Sequence, residues 1–512
     1  MATAQTYSAM LSGLKAEKIS VEIDISNGLH SFSIVGLGDR AVEEAKDRVA
    51  AGIKNTGYVS PKQKNQKVVI SLAPADLRKE GPSFDLAMAI GYLIASNEIC
   101  FDASNTLFIG ELSLEGHIRK VSGLLPILCQ AKDLGFTEVY IPKENMYEAT
   151  LVKEIRTIPV STLRETLDYL SGATTVGQQY DSDTIVTYDA DQPIPNISNK
   201  HVDMNAIRGN EQAKRGLEIA AAGAHNVIMY GPPGTGKTML AHSFHSILPN
   251  LTHEQSVEVT SIHSIAKIAD HIVIRPPFRS PHHTASSPAI VGGGSIPKPG
   301  EITLAHRGVI FLDEFPEFDR AVMEALRQPL EEKEITISRA RGTVTFPAQC
   351  ILIASMNPCP CGRGEGGCTC TPRSVNQYKQ KISGPIADRV DIWLNVHKID
   401  YQKLGSVDSH EESSAIIAVR VEKARKIQQK RFYDFGIDKN YNSEMETSDI
   451  EICAKLSDES RVSFTNYAEK LQLSARVFHR IIKVARTIAD LDDSTTVEEK
   501  HILEALTYRQ RY

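Results

Sequence analysis

The sequence predicts a multidomain α/β protein: an α+β domain first, a parallel-sheet core in the middle and an all-helical segment last. Three observations predict it. Residues 21–142 mix strand-like alternation with helical stretches, residues 226–355 hold three short apolar runs that end on polar groups, and residues 401–512 read as helix. At about 150 residues per domain, the 512 residues make about three domains. An apolar share of 41% with 23% charged residues is that of a soluble globular chain and excludes disordered, collagen-like and mucin-like architectures. Residues 1–13 lack a basic start before an apolar block, so no secretory signal is expected. The longest apolar stretch, 86–95, is far short of about 20 residues, so no membrane span is expected. Eight cysteines, four of them within twelve positions, are no disulfide framework, and the expected location is cytoplasmic. The formal charge of −6 leaves nucleic acid open as a partner, because binding depends on local basic surface.

In the first segment Val21, Ile23 and Ile25 alternate with Glu22, Asp24 and Ser26, the period of a half-buried strand. Asn27-Gly28 precedes Phe32, Ile34 and Val35, which predicts a hairpin between two strands. A helix is expected over 39–55, a buried strand over 68–72, an apolar helix over 84–95 and a strand over 139–141. The runs GLGDRAVEEAKDRV (36–49), GPSFDLAMAI (81–90) and GELSLEGHIRKVSGL (110–124) resemble the Lon-protease-type domain at the front of ComM/YifB-type proteins. The resemblance puts Ser83 on the serine of Lon proteases and Leu125 where their lysine stands, with Lys132 about two helical turns later. A serine hydroxyl needs an adjacent base to attack. The expectation is therefore a domain without peptidase activity, a structural or substrate-docking module.

Residues 178–200, with four Asp, Pro193, Pro195 and no sustained periodicity, predict a linker. Beyond it an apolar run over 226–230 leads directly into GPPGTGKT (231–238), followed by helix-compatible sequence. Strand, Gly-x4-Gly-Lys-Thr and helix together are the context of a phosphate loop. Gly231, Pro232, Pro233, Gly234, Thr235 and Gly236 would form the ATP-binding loop, its glycines letting successive backbone N–H groups turn inward on the phosphates. Lys237 would neutralise the β and γ phosphates, and Thr238 would bind Mg2+. A second apolar run, 308–312, ends on Asp313 and Glu314. Asp313 would hold Mg2+, and Glu314 would polarise the attacking water. A third, 351–355, leads to Asn357, a polar group able to orient water beside the γ-phosphate. Arg389 lies before a further strand pattern. Arg476 opens a helix whose apolar face is Val477, Ile481, Val484 and Ile488, with Arg480 and Lys483 on a basic stripe that a solvated face would also explain.

These strings, with RSPHHTASSPAIVGGGSIPKPGEITLAHRGVIFLDE (279–314), ISRARGTVTFPA (337–348), ASMNPCPCG (354–362) and KISGPIADRVDI (381–392), resemble the AAA+ ATPases of the magnesium-chelatase-like branch that contains ComM/YifB proteins. The resemblance implies an AAA+ P-loop ATPase core with a helical lid, preceded by the α+β Lon-protease-like domain. It casts Asn357 as sensor one, Arg476 as sensor two and Arg389 as an arginine finger reaching a neighbour's ATP. A finger supplied in trans implies a ring, commonly a hexamer. The expected domains are 1–177, Lon-protease-like; 178–200, linker; 201–400, ATPase core; and 401–512, lid.

Residues 271–300 contain no Asp or Glu but carry Arg275, Arg279, Lys298, three His and six Pro, which predicts a long loop. Residues 335–344 read strand–turn–strand with Arg339 and Arg341 at the tip, and in related ring helicases a similar hairpin faces DNA. An exposed hairpin with solvated arginines is the plain alternative. Cys359-Pro-Cys361 and Cys368-Thr-Cys370 supply four thiolates able to close a structural Zn2+ site, against reduced free thiols or a redox-sensitive loop. Cys100, Cys129, Cys350 and Cys453 are expected in the core. Residues 419–431 carry six Lys/Arg against one Glu on a helical pattern, either a DNA contact or a solvated face.

The expected function is an Mg-ATP-driven ring motor on single-stranded or branched DNA, and the resemblance implies branch migration in recombination or natural transformation. A protein-remodelling ATPase or chelatase-type motor subunit is the alternative, and a nucleotide-gated DNA scaffold a third.

Overall fold

The computed structural model describes residues 2–79, 81–173, 202–268, 271–294, 297–339, 342–364, 367–382, 384–398 and 411–509. The expected linker at 178–200 and the candidate DNA contact Arg341 lie outside the described residues. The chain divides into two compact units, Met1–Pro195 with His253–Val273, and Asn196–Thr252 with Ile274–Tyr512.

In the first unit β1 (Ala2–Ser12) and β2 (Lys15–Asn27) pair antiparallel across a two-residue turn at Gly13-Leu14. β3 (Ser31–Val35), α1 (Arg40–Asn55), β4 (Gln66–Ala73) and α2 (Asp85–Ala95) follow. The sheet order is β1-β2-β4-β3, so the hairpin expected around Asn27-Gly28 does not form. β2 and β3 do run in opposite directions, but β4 lies between them, antiparallel to β2 and parallel to β3. β4 takes the central place because Val68, Ile70 and Leu72 are all buried while both its edges find partners. α2 is buried nearly all round, as a helix without a polar stripe must be. A smaller parallel sheet of β5 (Thr106–Phe108), β6 (Glu138–Pro142) and β7 (Arg156–Val160) accompanies α3 (Leu124–Ala131).

The inserted helix His253–Ile265 belongs to this unit and packs on α3. Its Ser264 hydroxyl accepts from the Gly123 amide (3.1 Å) and donates to the buried Glu148 carboxylate (3.1 Å). The same carboxylate accepts from the Leu125 amide (2.7 Å) and from Asn145 (2.8 Å). Leu125, which the resemblance sets where the Lon lysine stands, is thus part of a seat for a helix. Lys132 is exposed and pairs with Glu154 (3.6 Å). Among the described residues no side chain is hydrogen-bonded to the Ser83 hydroxyl.

The second unit comprises α4 (Glu211–Gly223), β8 (Val227–Tyr230), α5 (Lys237–Ser246), β9 (Phe278–Arg279), β10 (Val309–Leu312), β11 (Glu334–Arg339), β12 (Gly342–Pro347), β13 (Ile351–Met356), α6 (Pro372–Lys381) and β14 (Ile392–Asn395). It continues with α7 (Ser414–Asp434), α8 (Thr447–Cys453), α9 (Asp458–Lys470), α10 (Ala475–Leu491) and α11 (Glu499–Thr507). Five parallel strands in the order β9-β10-β13-β8-β14 form its sheet. All residues of β10 and β13 are buried, which fits continuous apolar runs in a sheet covered on both faces. β11 and β12 make a separate two-stranded ribbon with Arg339 opposite Gly342.

The described residues of this segment, 271–294 and 297–300, are more ordered than the long loop expected of them. They hold the edge strand β9, a short helix Ser287–Val291 and a pairing of Gly292–Gly293 with Lys298–Pro299. The prolines are tolerated because Pro276 and Pro277 precede an edge strand and Pro288 sits in a first helical turn. Cys100 and Cys129, expected in the core, are exposed, Cys350 is half-buried and Cys453 buried. The basic pattern of α7 anchors the helix: Arg420 pairs with Glu218 and Glu412, Arg425 donates to the Ala221 carbonyl, and Arg431 pairs with Asp490.

Asp490 has no exposed side-chain surface and accepts from Arg431, from Arg486 (2.9 Å) and from Asn442 (2.8 Å). Asp490→Ala would take the shared counter-charge from the Arg431 and Arg486 guanidinium groups, and a loss of about 3–5 kcal/mol is expected. Chemical denaturation monitored by helical signal checks it; a shift no larger than that of a surface substitution contradicts the account.

Candidate functional site

β8 delivers the chain to Gly231 at the carboxyl end of the sheet, where open α/β sheets place their ligands. Gly234 (φ 77°) and Gly236 (φ 88°) take the left-handed conformations that curl the loop, and α5 then starts at Lys237 with no side chain capping it. Its first amides stay available to an anion. Lys237 is buried, and burial pulls its pKa below the ordinary lysine range while the charges of Asp313 and Glu314 act the other way. Its ammonium donates to the carbonyls of Gly231 (2.7 Å) and Pro232 (2.8 Å) and to the Asn357 side chain (3.2 Å).

Thr238 donates to Asp313 (3.0 Å). The second Asp313 oxygen accepts from Ser355, a residue sequence reasoning missed. Its only signal is a lone hydroxyl within an apolar strand, buried to 1% exposure. The two oxygen donors Thr238 and Asp313, side by side beneath an uncapped helix start, suit Mg2+ held with phosphates. Glu314 stands at φ 52°, a left-handed conformation costly for a residue with a Cβ. Its carboxylate is half exposed and lies 3.5 Å from His283, a second neighbour that the sequence did not single out. The buried Tyr378 hydroxyl of α6 lies near Asn357, whose backbone N–H favours its charged form.

Lys237, Thr238, Asp313, Glu314 and Asn357 are therefore brought together. Arg389 and Arg476 are not among them. The Arg389 carbonyl accepts from Asn226 (3.0 Å), the residue just before β8, so the arginine sits at the amino end of the sheet. At about 3.3 Å per residue, β8 alone puts about 13 Å between that end and the phosphate loop. The Arg389 guanidinium rests on Glu331 and on the Pro385 carbonyl (2.5 Å), with Nε buried and unpartnered. Arg476 is mostly exposed, 3.9 Å from Asp388. Arg389, Arg476, Arg480, Lys483, Glu331 and Asp388 line one cavity of about 980 Å³.

Arg480 and Lys483, for which a solvated face was an alternative, are anchored. Arg480 donates to the carbonyls of Val390 (2.7 Å), Asp388 and Ala387 (3.4 Å), and Lys483 to that of Ser443 (3.1 Å). Burial pushes the Asp391 carboxyl up, but the His225 hydrogen bond (3.1 Å) and the Arg480 and Lys483 charges outweigh it and hold the pKa low. Of the acid-free segment, Arg279 is committed to a bidentate pair with Glu301 (2.6 and 2.8 Å). Arg339 closes β11. The sulfurs of Cys359, Cys361, Cys368 and Cys370 all lie within 4.8 Å of one another, a group compatible with a metal ion.

Three family models match in succession: subunit ChlI of Mg-chelatase over residues 21–145, magnesium chelatase subunit ChlI over 203–404, and its C-terminal model over 411–509. The chain is 40% identical to competence protein ComM of Haemophilus influenzae, covering 99% of this chain and 98% of that one. It is 39% identical to YifB of Escherichia coli over 97% and 95% of the two chains. A shorter match, 32% identity over 145 residues, is to Lon protease 2 of Bacillus subtilis, 26% of either chain. Among the described residues no helix is long and apolar enough to cross a membrane. The match over essentially full length, together with the phosphate loop and the acids on its parallel sheet, makes this chain a member of the ComM/YifB-type, magnesium-chelatase-like AAA+ ATPases, with a Lon-protease-like domain at the N-terminal side.

Proposed function

We propose that the protein is an ATP-hydrolysing ring motor, a hexamer, that acts on single-stranded or branched DNA as a helicase or branch-migration motor in recombination or natural transformation. One observation carries the ring: the phosphate loop and Arg389 occupy opposite ends of one parallel sheet, so a chain does not serve its own nucleotide with its own Arg389. A second copy, presenting Arg389 and Arg476 to the phosphates, completes the site. Bound Mg2+ would neutralise phosphate charge beside Thr238 and Asp313. Lys237 turns from the loop carbonyls to the phosphates, Glu314 takes the proton of the attacking water, and Asn357 orients that water. The carboxylate at Glu314 favours a hydrolysing motor over a nucleotide-gated scaffold, which needs no base.

DNA as the polymer is supported by the β11–β12 ribbon, whose turn sequence carries Arg339 and Arg341, and by the competence role in the name of the Haemophilus relative. Six such turns around a ring would attract a phosphate backbone and release its counterions. A variant with Arg339→Ala and Arg341→Ala is expected to bind DNA more weakly, with a shallower salt dependence, at unchanged basal ATP turnover. Binding isotherms over a salt series check this; an unchanged slope assigns the arginines to solubility alone.

Oligomer size and ATP turnover, measured with single-stranded, duplex and four-way-junction DNA and with an unfolded protein, test the whole reading. Acceleration by DNA alone is expected. A monomer that hydrolyses ATP at full rate and ignores every DNA overturns it.

A further inference from the structure

Between Cys359 and Cys370 the sequence offers little with which to hold the chain. Four of the six residues between Cys361 and Cys368 are glycine, which costs the most backbone entropy to order, and Cys359 is the one buried cysteine of the four. Yet the sulfurs converge, with Cys359–Cys361 at 3.3 Å, Cys359–Cys368 at 3.5 Å and Cys361–Cys368 at 3.8 Å. A disulfide would bring two sulfurs to about 2.0 Å. Zinc–sulfur bonds of about 2.3 Å in a tetrahedron put the sulfurs about 3.8 Å apart, close to what is seen. A backbone amide supplies a surrounding donor: that of Cys370 reaches the Cys368 sulfur (3.4 Å). Such donors orient thiolate ligands and spread their charge.

The loop touches the nucleotide site twice. Gly362 (φ 75°) lies against the phosphate loop so closely that a Cβ there would meet the Pro233 ring at 3.0 and 3.1 Å. The cluster begins two residues after Asn357 and ends at Cys370, directly before Thr371, which caps α6. α6 in turn carries Tyr378, whose hydroxyl lies near the Asn357 backbone N–H. A metal at the cysteines would thus close a loop running from Asn357 through the thiolates and α6 back to Asn357, with Gly362 braced on Pro233.

We propose that Cys359, Cys361, Cys368 and Cys370 bind one Zn2+ in a closed tetrathiolate site, and that this clasp holds the phosphate loop and Asn357 in the geometry for ATP turnover. Binding is four thiols plus Zn2+ giving a Zn–tetrathiolate of charge −2 and four released protons, with no change of oxidation state. All four positions are filled by protein, so the metal is structural and contacts no substrate. The dependence of turnover on the clasp rests on the ATPase reading above, whereas the metal site stands apart from it.

Full-length protein purified without chelator tests both parts. Metal analysis is expected to find one zinc per chain. Titration with a thiol-reactive mercurial, followed with a zinc indicator, is expected to release it while ATP turnover without DNA falls about tenfold or more, the usual weight of such supports. Thiol regeneration with added zinc restores both. Cys368→Ser should lose the zinc and the turnover, and Cys100→Ser neither. Gly362→Val, which leaves all four thiols, should keep the zinc and weaken ATP binding. Protein without zinc overturns the site, even where ATP turnover is normal. Zinc released with turnover unchanged overturns the brace, and no ATP turnover with zinc in place counts against the motor reading.

Discussion

Arg389→Ala is expected to leave ATP binding at the wild-type level and to lower turnover by about 10³-fold or more, the effect of losing an arginine finger. The residue lies an entire strand length from its own phosphate loop, so its removal takes nothing from the chain's own nucleotide pocket. Its resting pair with Glu331 is exposed on the carboxylate side and is readily given up to a stronger anion. Mixing gives the sharper form of the test. Lys237→Ala lacks a working phosphate loop and keeps the arginine, and Arg389→Ala is the reverse, so both are inactive alone. A mixed ring contains seams where an intact loop faces an intact arginine, and partial activity should return. Full hydrolysis by the pure Arg389→Ala protein, or no recovery in mixtures that demonstrably co-assemble, assigns the arginine to its own chain's fold.

Glu314→Gln is the second large effect. The amide keeps the shape and cannot accept the water's proton, and general-base contributions are about 10² to 10⁴ in rate. ATP should still bind, because Lys237, Thr238 and Asp313 are untouched and Thr238 still donates to Asp313 at 3.0 Å. The variant should therefore accumulate bound ATP and stable rings, read by equilibrium binding beside single-turnover hydrolysis. Substitution of Asp313 instead would disturb Ser355 and Thr238 together and should lower binding as well. If Glu314→Gln turns over ATP at the wild-type rate, the proton acceptor is another group.

The phosphate loop was readable from sequence because its requirements are local: a strand, a run of glycines and a helix start within twelve residues. Asp313 and Glu314 were readable for the same reason, at the end of an apolar run. Ser355 was not, since only the register of β10 beside β13, with Leu312 opposite Ala354, brings it to Asp313. Arg480 looked solvated because its partners are main-chain carbonyls some ninety residues earlier, and carbonyls leave no mark in composition. The misplaced hairpin has a similar cause. Asn27-Gly28 does reverse the chain, but a turn signal carries no information about a strand arriving forty residues later to separate the two arms. The paired cysteines carried further than either: the two pairs do converge, into a group compatible with a metal ion.

The inserted helix has a consequence for how the polypeptide can be cut. Residues 253–273 sit in the sequence of the ATPase but in the body of the first unit, with Val259, Ile262 and Ser264 buried. A shortened gene product beginning after residue 201 would therefore inherit a sticky, orphaned segment rather than a clean catalytic half. The tidy excision also removes the excursion and splices Leu251 to Ile274, whose amide and carbonyl already meet at 2.8 Å.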